Sequence, residues 1–288
     1  MGYEINMDFY KDWIDHLRKG LKEAGYTPVE DPEEVSIQYF NFLRRLIPVR
    51  PRKVYIAKEF MCPSELQLGL DLIINNIEQG VDLGPYLSKK IADLDYDDDL
   101  LNDWGVHHLH LGTNLESNGF VKRTGPVLFA RFDEQNAYLI NVWSHGNWTN
   151  QEMIRIIHNN WPGSIERYRL KDVTGLNYSV TDRDIKLARK AHSMLLIEPE
   201  PGVFYAPPGM GLTSAGTGIE VIRVSDYYAD LMTTYEDVIR DNIAELIEMV
   251  KAEGGNSGEK LSFVLKIKDR KIFAYEVNYD FSVELGEL

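Results

Sequence analysis

The sequence predicts an α+β protein with a helical N-terminal region, a central antiparallel sheet carrying a hairpin and its helix, and a C-terminal α+β unit. Three observations predict it. The first hundred residues place apolar side chains at helical spacing, residues 127–143 read as two strands joined by a polar turn, and residues 261–277 repeat that hairpin pattern. The linear division is residues 1–103, 104–178 and 179–288.

The elements follow in order. Phe9, Trp13, Leu17 and Leu21 predict an amphipathic helix over 7–25, with Gly25 as its stop. Pro32 opens a second helix through Tyr39, Phe40, Leu43 and Leu46, because the missing N–H of proline costs nothing in a first turn. Lys53–Ala57 reads as a strand, Pro63 opens a helix from Ser64 to Gln79 that Gly80 closes, and a short helix is expected over 84–94. The acidic run Asp93–Asp99 has alternating carboxylates but neither the glycine turn nor the distal glutamate of a calcium loop, so it reads as a connector with helix-capping aspartates.

A strand over 106–111 leads into a Gly-, Asn- and Ser-rich loop, 112–125. Val127–Phe132 and Ala137–Trp143 are strands paired through Asp133-Glu-Gln-Asn136. A helix over 151–160 follows, capped by Thr149 or Asn150 and closed by Pro162. Thr181 caps a helix to His192. Strands are expected at 194–197 and 203–206, separated by a turn at 198–202, and at 219–224. Residues 226–252 read as helix, broken by Gly254-Gly255, and Leu261–Lys268 pairs with Lys271–Val277 through Asp269-Arg270.

Composition bounds the function. A net charge of −14 argues against a general nucleic-acid binder, yet Lys and Arg outnumber Asp and Glu by 11 to 8 in residues 104–190, against 12 to 20 before and 8 to 17 after. A basic middle third can focus a polyanion onto one segment. Cys62 is the only cysteine, which excludes an intrachain disulfide and any multi-cysteine metal site. With no membrane-length apolar run and no basic-then-apolar leader at the start, a cytoplasmic location is expected.

Trp104-Gly-Val-His-His-Leu-His-Leu-Gly112 puts three of the seven histidines into four positions. On a strand, alternate side chains share a face, so His108 and His110 point one way and His107 the other. Histidine moves protons near neutral pH and is the commonest nitrogen ligand.

The strand ending in Leu-Gly, the hairpin Val127-Leu-Phe-Ala-Arg-Phe-Asp-Glu-Gln-Asn-Ala-Tyr-Leu-Ile-Asn-Val142 and the histidine soon after it resemble the core sheet of RelE-like toxin ribonucleases, a superfamily that includes barnase-like and EndoU-like nucleases. The resemblance covers residues 104–148. It implies RNA cleavage through the ribose 2′-OH, with Arg131 on the hairpin, His145 beyond it, and Lys122 and Arg123 in the preceding loop matching the family's roles by position. It also implies RNA as substrate and a protein antitoxin as partner. A large acidic chain and the 107–110 histidine cluster depart from the family's pattern.

The chemistry stands apart from that resemblance. Such cleavage needs a base, an acid and a cation for developing charge. His108, His110 and His145 supply proton groups, and Lys122, Arg123 or Arg131 supplies charge, with no metal or cofactor required. The same histidines around a zinc define a metal-dependent hydrolase, although no His-Glu-x-x-His signature is present. Structural histidines in a non-catalytic binding or scaffold protein, docking a partner through its basic segment, complete the set. Trp143, Trp148 and Trp161 read as core packing before base stacking. The loop Pro207–Gly218 offers N–H groups to a phosphate, but lacks the Gly-Lys-Ser/Thr of a nucleotide loop. His16, His158 and His192 carry no assigned function.

Overall fold

Asp8 accepts the Lys11 N–H and starts α1 (Phe9–Glu23), whose stripe Phe9, Trp13, Leu17 and Leu21 is buried, after a short strand β1 (Ile5–Asn6). These belong to a computed structural model that describes residues 4–173, 175–252 and 260–288. Helix α2 (Pro32–Arg45) has Glu33 and Glu34 in its first turn and Arg44 and Arg45 in its last, matching the helix dipole. After β2 (Lys53–Ile56), a 3-10 turn leads into α3 (Gln67–Gln79), which Gly80 ends at φ +68°.

The short helix expected over 84–94 is instead two 3-10 turns, Gly84–Tyr86 and Lys89–Ala92. Between them Leu87 is extended, and Ser88 starts the second turn by accepting the Lys90 N–H. In the acidic run, Asp98 accepts the Leu101 N–H and caps α4 (Asp99–Trp104).

Three strands follow: β3 (His107–His110), β4 (Pro126–Phe132) and β5 (Asn136–Ser144). The β4–β5 turn is tied by Asp133, whose Oδ1 accepts the N–H groups of Gln135 and Asn136. The N-cap of α5 (Glu152–Asn160) is Gln151, not the expected Thr149 or Asn150; Asn150 sits one residue earlier and accepts the Glu152 N–H in a turn leading into the helix. A two-residue strand absent from the sequence reading, β6 (Arg169–Leu170), precedes α6 (Asp182–Lys190), where Thr181 and Asp184 close a capping box.

Strand β7 (Ile197–Glu200) begins where the expected strand over 194–197 ended, and Gly202, at φ +79°, makes the turn into β8 (Val203–Tyr205). The expected strand over 219–224 is the start of α7 (Ile219–Asp241). Four of the six residues Ile-Glu-Val-Ile-Arg-Val are β-branched, and the stretch is ambiguous in period. Buried Val221, Ser225, Met232, Tyr235 and Ile239 supply the helical spacing over a longer window. Helix α8 (Ile243–Ala252), then β9 (Leu261–Lys268), β10 (Lys271–Glu276) and β11 (Phe281–Glu287) complete the chain; the break expected at Gly254-Gly255 lies outside the described residues.

The chain divides into two units. One joins the residues up to Tyr39 with Arg223–Leu288, and the other is Phe40–Ile222, so the linear boundaries at 103/104 and 178/179 both fall inside the second. In the first unit the sheet order is β1-β9-β10-β11, with β1 parallel to β9 and the rest antiparallel. Its hairpin turns on Asp269 and Arg270, both at positive φ, as a two-residue turn requires. Fully buried Glu276 accepts the N–H groups of Ser262, Asn278 and Tyr279, so its charge is met by backbone donors.

The second unit is built on a mixed sheet, order β2-β5-β4-β3. Strands β3, β4 and β5 pair antiparallel as expected, and β2 adds a parallel edge. Both faces are covered. Val106, Val127, Phe129 and Ile140 pack with α5, α6 and the small sheet β6-β8-β7, while Leu109, Leu128, Ala130 and Leu139 pack with α3 and the 3-10 turns. Two-sided burial explains why the hairpin is apolar at almost every position. At roughly 25 cal/mol per Å² of apolar surface, each of the buried Val, Leu, Ile and Phe side chains among these contributes about 1.5–3 kcal/mol. Among the described residues no helix is long and apolar enough to cross a membrane.

Candidate active site

Strand β3 lies at the free edge of the sheet, with His108 opposite Phe129 and His110 opposite Val127. At the far end of β5 the ladder extends one step as the His145 N–H donates to the Gly125 carbonyl. The chain then turns at Gly146, whose φ of +106° suits glycine, and returns Trp148 to the same face. The ring centroids of His108, His110 and His145 lie 5.8–6.4 Å apart, and Trp148 lies 4.6 Å from His108 and 4.7 Å from His145. Alternation on β3 and the position of His145 after β5 therefore converge as the sequence suggested.

The three imidazoles differ in access. His108 and His110 are 8% and 3% exposed, whereas His145 is exposed. His110 Nδ1 accepts the Thr124 backbone N–H at 3.1 Å, and Thr124 is itself tied down because its hydroxyl donates to the Pro126 carbonyl and accepts the Leu111 N–H. An accepting Nδ1 carries no proton, so the neutral ring has its proton on Nε2. That Nε2 is buried with no hydrogen-bond partner. Burial, with help from Arg123, His108 and His145, lowers the His110 pKa to about 3, and burial is also the main cause that lowers His108. Both rings are neutral at pH 7.

His107 points to the other face, against Phe132 at 5.6 Å, with both ring nitrogens buried and unpartnered. Burial, then Arg44, lowers its pKa to about 3.

The cations separate. Lys122 is exposed, and Arg123 is half-buried with Nη1 donating to the Leu87 carbonyl at 2.7 Å; its charge acts on both His108 and His110. Arg131 is buried and donates to the carbonyls of Trp104, Gly105 and Pro208, with its guanidinium over the Tyr168 ring at 6.0 Å. It braces the turn after α4, and its charge acts on His107 on the other face of β3.

Three supporting residues were not singled out from the sequence. Thr124 fixes the His110 tautomer, and nothing in the sequence marks it. Asp98 was visible only as one carboxylate of an acidic run. Arg189 forms a buried ion pair with Asp103 at 2.7 Å, lies over the Trp104 ring at 4.4 Å and donates to the Trp148 carbonyl. Burial raises the Asp103 pKa, and the facing guanidinium counters it.

The glycines of 207–218 have a packing reason. A Cβ on Gly209 would meet the Leu101 and Asn102 carbonyls at 2.4 and 2.5 Å, and one on Gly218 would meet the Asn102 side chain at 2.6 Å. The N–H groups of Gly209 and Gly211 donate to Asp103 and Asn102 carbonyls, so they are not offered to a phosphate. His158 bridges the Tyr205 hydroxyl and Glu200, and His16 stacks on Trp13.

Among the described residues no group of three or more His, Cys, Asp or Glu side chains could hold a metal ion. The His110 tautomer gives the reason at this cluster: a nitrogen that carries a proton has no lone pair for a metal. No protein-family model, curated protein or solved structure matches the chain.

Proposed function

We propose that the chain is a metal-independent endoribonuclease of toxin or phage-defence type, with His145 as the group that meets the RNA. The observation that carries this reading is the convergence of His108, His110 and His145 within 5.8–6.4 Å, with two of the rings held neutral and the third exposed. The ribose 2′-oxygen forms a bond to the adjacent phosphorus as the bond to the 5′-oxygen breaks. The 2′-OH proton passes to His145, and the imidazolium so formed returns it, directly or through His108, to the departing 5′-oxygen. His110 is a hydrogen-bond donor here and not an acid, since its ring stays neutral; its unpartnered Nε2–H suits a phosphoryl oxygen bearing developing charge. Lys122 and Arg123 meet the phosphate, Trp148 offers a ring for a base, and Arg131 is a brace.

A second reading is favoured by the burial of His108 and His110: a non-catalytic binding or scaffold protein whose basic segment docks RNA or a protein such as an antitoxin. Incubating the purified chain with RNA in excess EDTA separates the two. Cleavage into products ending in 2′,3′-cyclic phosphate supports the nuclease, and binding without cleavage supports the scaffold.

A further inference from the structure

At the free edge of β3 a cavity of about 20 Å³ is lined by Arg45, Tyr96, Asp98, His107 and His108. It has room for about one water and enough polar groups to hold one. We propose that Asp98 is a positioning residue for His108: the two residues line this cavity together, and the Asp98 carboxylate stabilises the imidazolium when that ring takes a proton. The role deepens the nuclease reading and rests on it for its catalytic consequence, while the coupling of the two side chains does not.

The surroundings of His108 give the reason. Its ring faces His110, His145 and Trp148, with Arg123 acting from the loop before β4 and Arg45 and Tyr96 lining the cavity. Burial, His145 and Arg123 all oppose a proton on His108, and among these influences Asp98 alone favours it. Tyr96 does not compete as an anion, because burial and the neighbouring Asp98 and Asp99 push its pKa up to about 12. An imidazole beside neutral histidines and a cation takes up a proton more readily with a negative charge in the same cavity, and Asp98 is held there by the bond from the Leu101 N–H to its Oδ1.

The test compares Asp98→Asn with Asp98→Ala. Asparagine caps a helix about as well as aspartate, so Asp98→Asn removes the charge and keeps α4. NMR titration of the His108 ring in the absence of RNA is expected to show its midpoint falling by roughly half a unit to one unit in both variants, the size of one charge a few ångströms away. An unchanged midpoint in Asp98→Asn overturns the proposal, and so does a shift confined to Asp98→Ala, which assigns the effect to the lost cap. If RNA is cleaved, the acidic limb of the pH–rate profile moves down by the same amount in Asp98→Asn. If the midpoint shifts and the wild-type chain cleaves no RNA, the coupling stands and the nuclease reading falls.

Discussion

The Thr124 backbone N–H donates to His110 Nδ1 at 3.1 Å, and this one bond decides what the histidine cluster can do. It makes His110 a proton-bearing donor at Nε2 and removes it as a metal ligand. The expected outcome by ¹⁵N-detected NMR at pH 7 is a neutral Nε2–H tautomer. Titration with zinc should leave the His110 ring signals in place, and a metal-dependent displacement of those signals would contradict the assignment.

Acid should destabilise the second unit more than its carboxylates alone require. His107 and His110 have folded pKa values lowered to about 3, and that of His108 is lowered too, all against about 6.5 unfolded. Below pH 6.5 the unfolded chain binds protons that the folded chain does not. Stability is therefore full above about pH 6.5 and falls as pH drops toward 3, by about 1.4 kcal/mol per unit for each fully depressed ring. Urea midpoints measured from pH 7.5 to 5 check this. His107→Leu should flatten the slope and raise stability at pH 6 by about 1 kcal/mol, because it removes two buried, unpartnered nitrogens.

Breaking the Asp103–Arg189 pair should cost stability and disturb the site together. Both side chains are about 5% exposed or less, so Arg189→Ala leaves an unmatched buried carboxylate, at a cost of about 3–5 kcal/mol. It also removes the donor to the Trp148 carbonyl. Arg189→Lys should recover little, since one ammonium cannot reproduce the stack on Trp104 and both hydrogen bonds. Chemical denaturation and the fluorescence of Trp148 read the two effects.

Gly209→Ala should destabilise by roughly 2 kcal/mol or more, because its Cβ would meet backbone atoms that cannot swing aside. Gly163→Ala is the control: nothing lies within 4 Å of its Cβ, its φ is not positive, and thermal melting should move little.

The sequence made legible whatever depends on local chemistry. The Thr181 cap, the stop at Gly80, the Asp133 turn and the alternation that pairs His108 with His110 each rest on residues within a few positions of one another. Residues 219–224 misled because six β-branched and charged side chains fit both periods, and only burial as far as Ile239 decides for helix. What escaped was set by partners distant in sequence. Arg131 reads as a cation available to a substrate until the carbonyls of Trp104 and Pro208 surround it, and nothing local marks Arg189, whose partner Asp103 is 86 positions away.

The most direct test of the proposed site is the rate of RNA cleavage in EDTA by the wild-type chain and by His145→Ala. His145 is exposed, so its replacement should leave the melting temperature within about 1 °C, as surface substitutions usually do, while the rate falls by about 10²–10⁴-fold. Cleavage by His145→Ala at the wild-type rate, or no cleavage by the wild-type chain, would contradict the account.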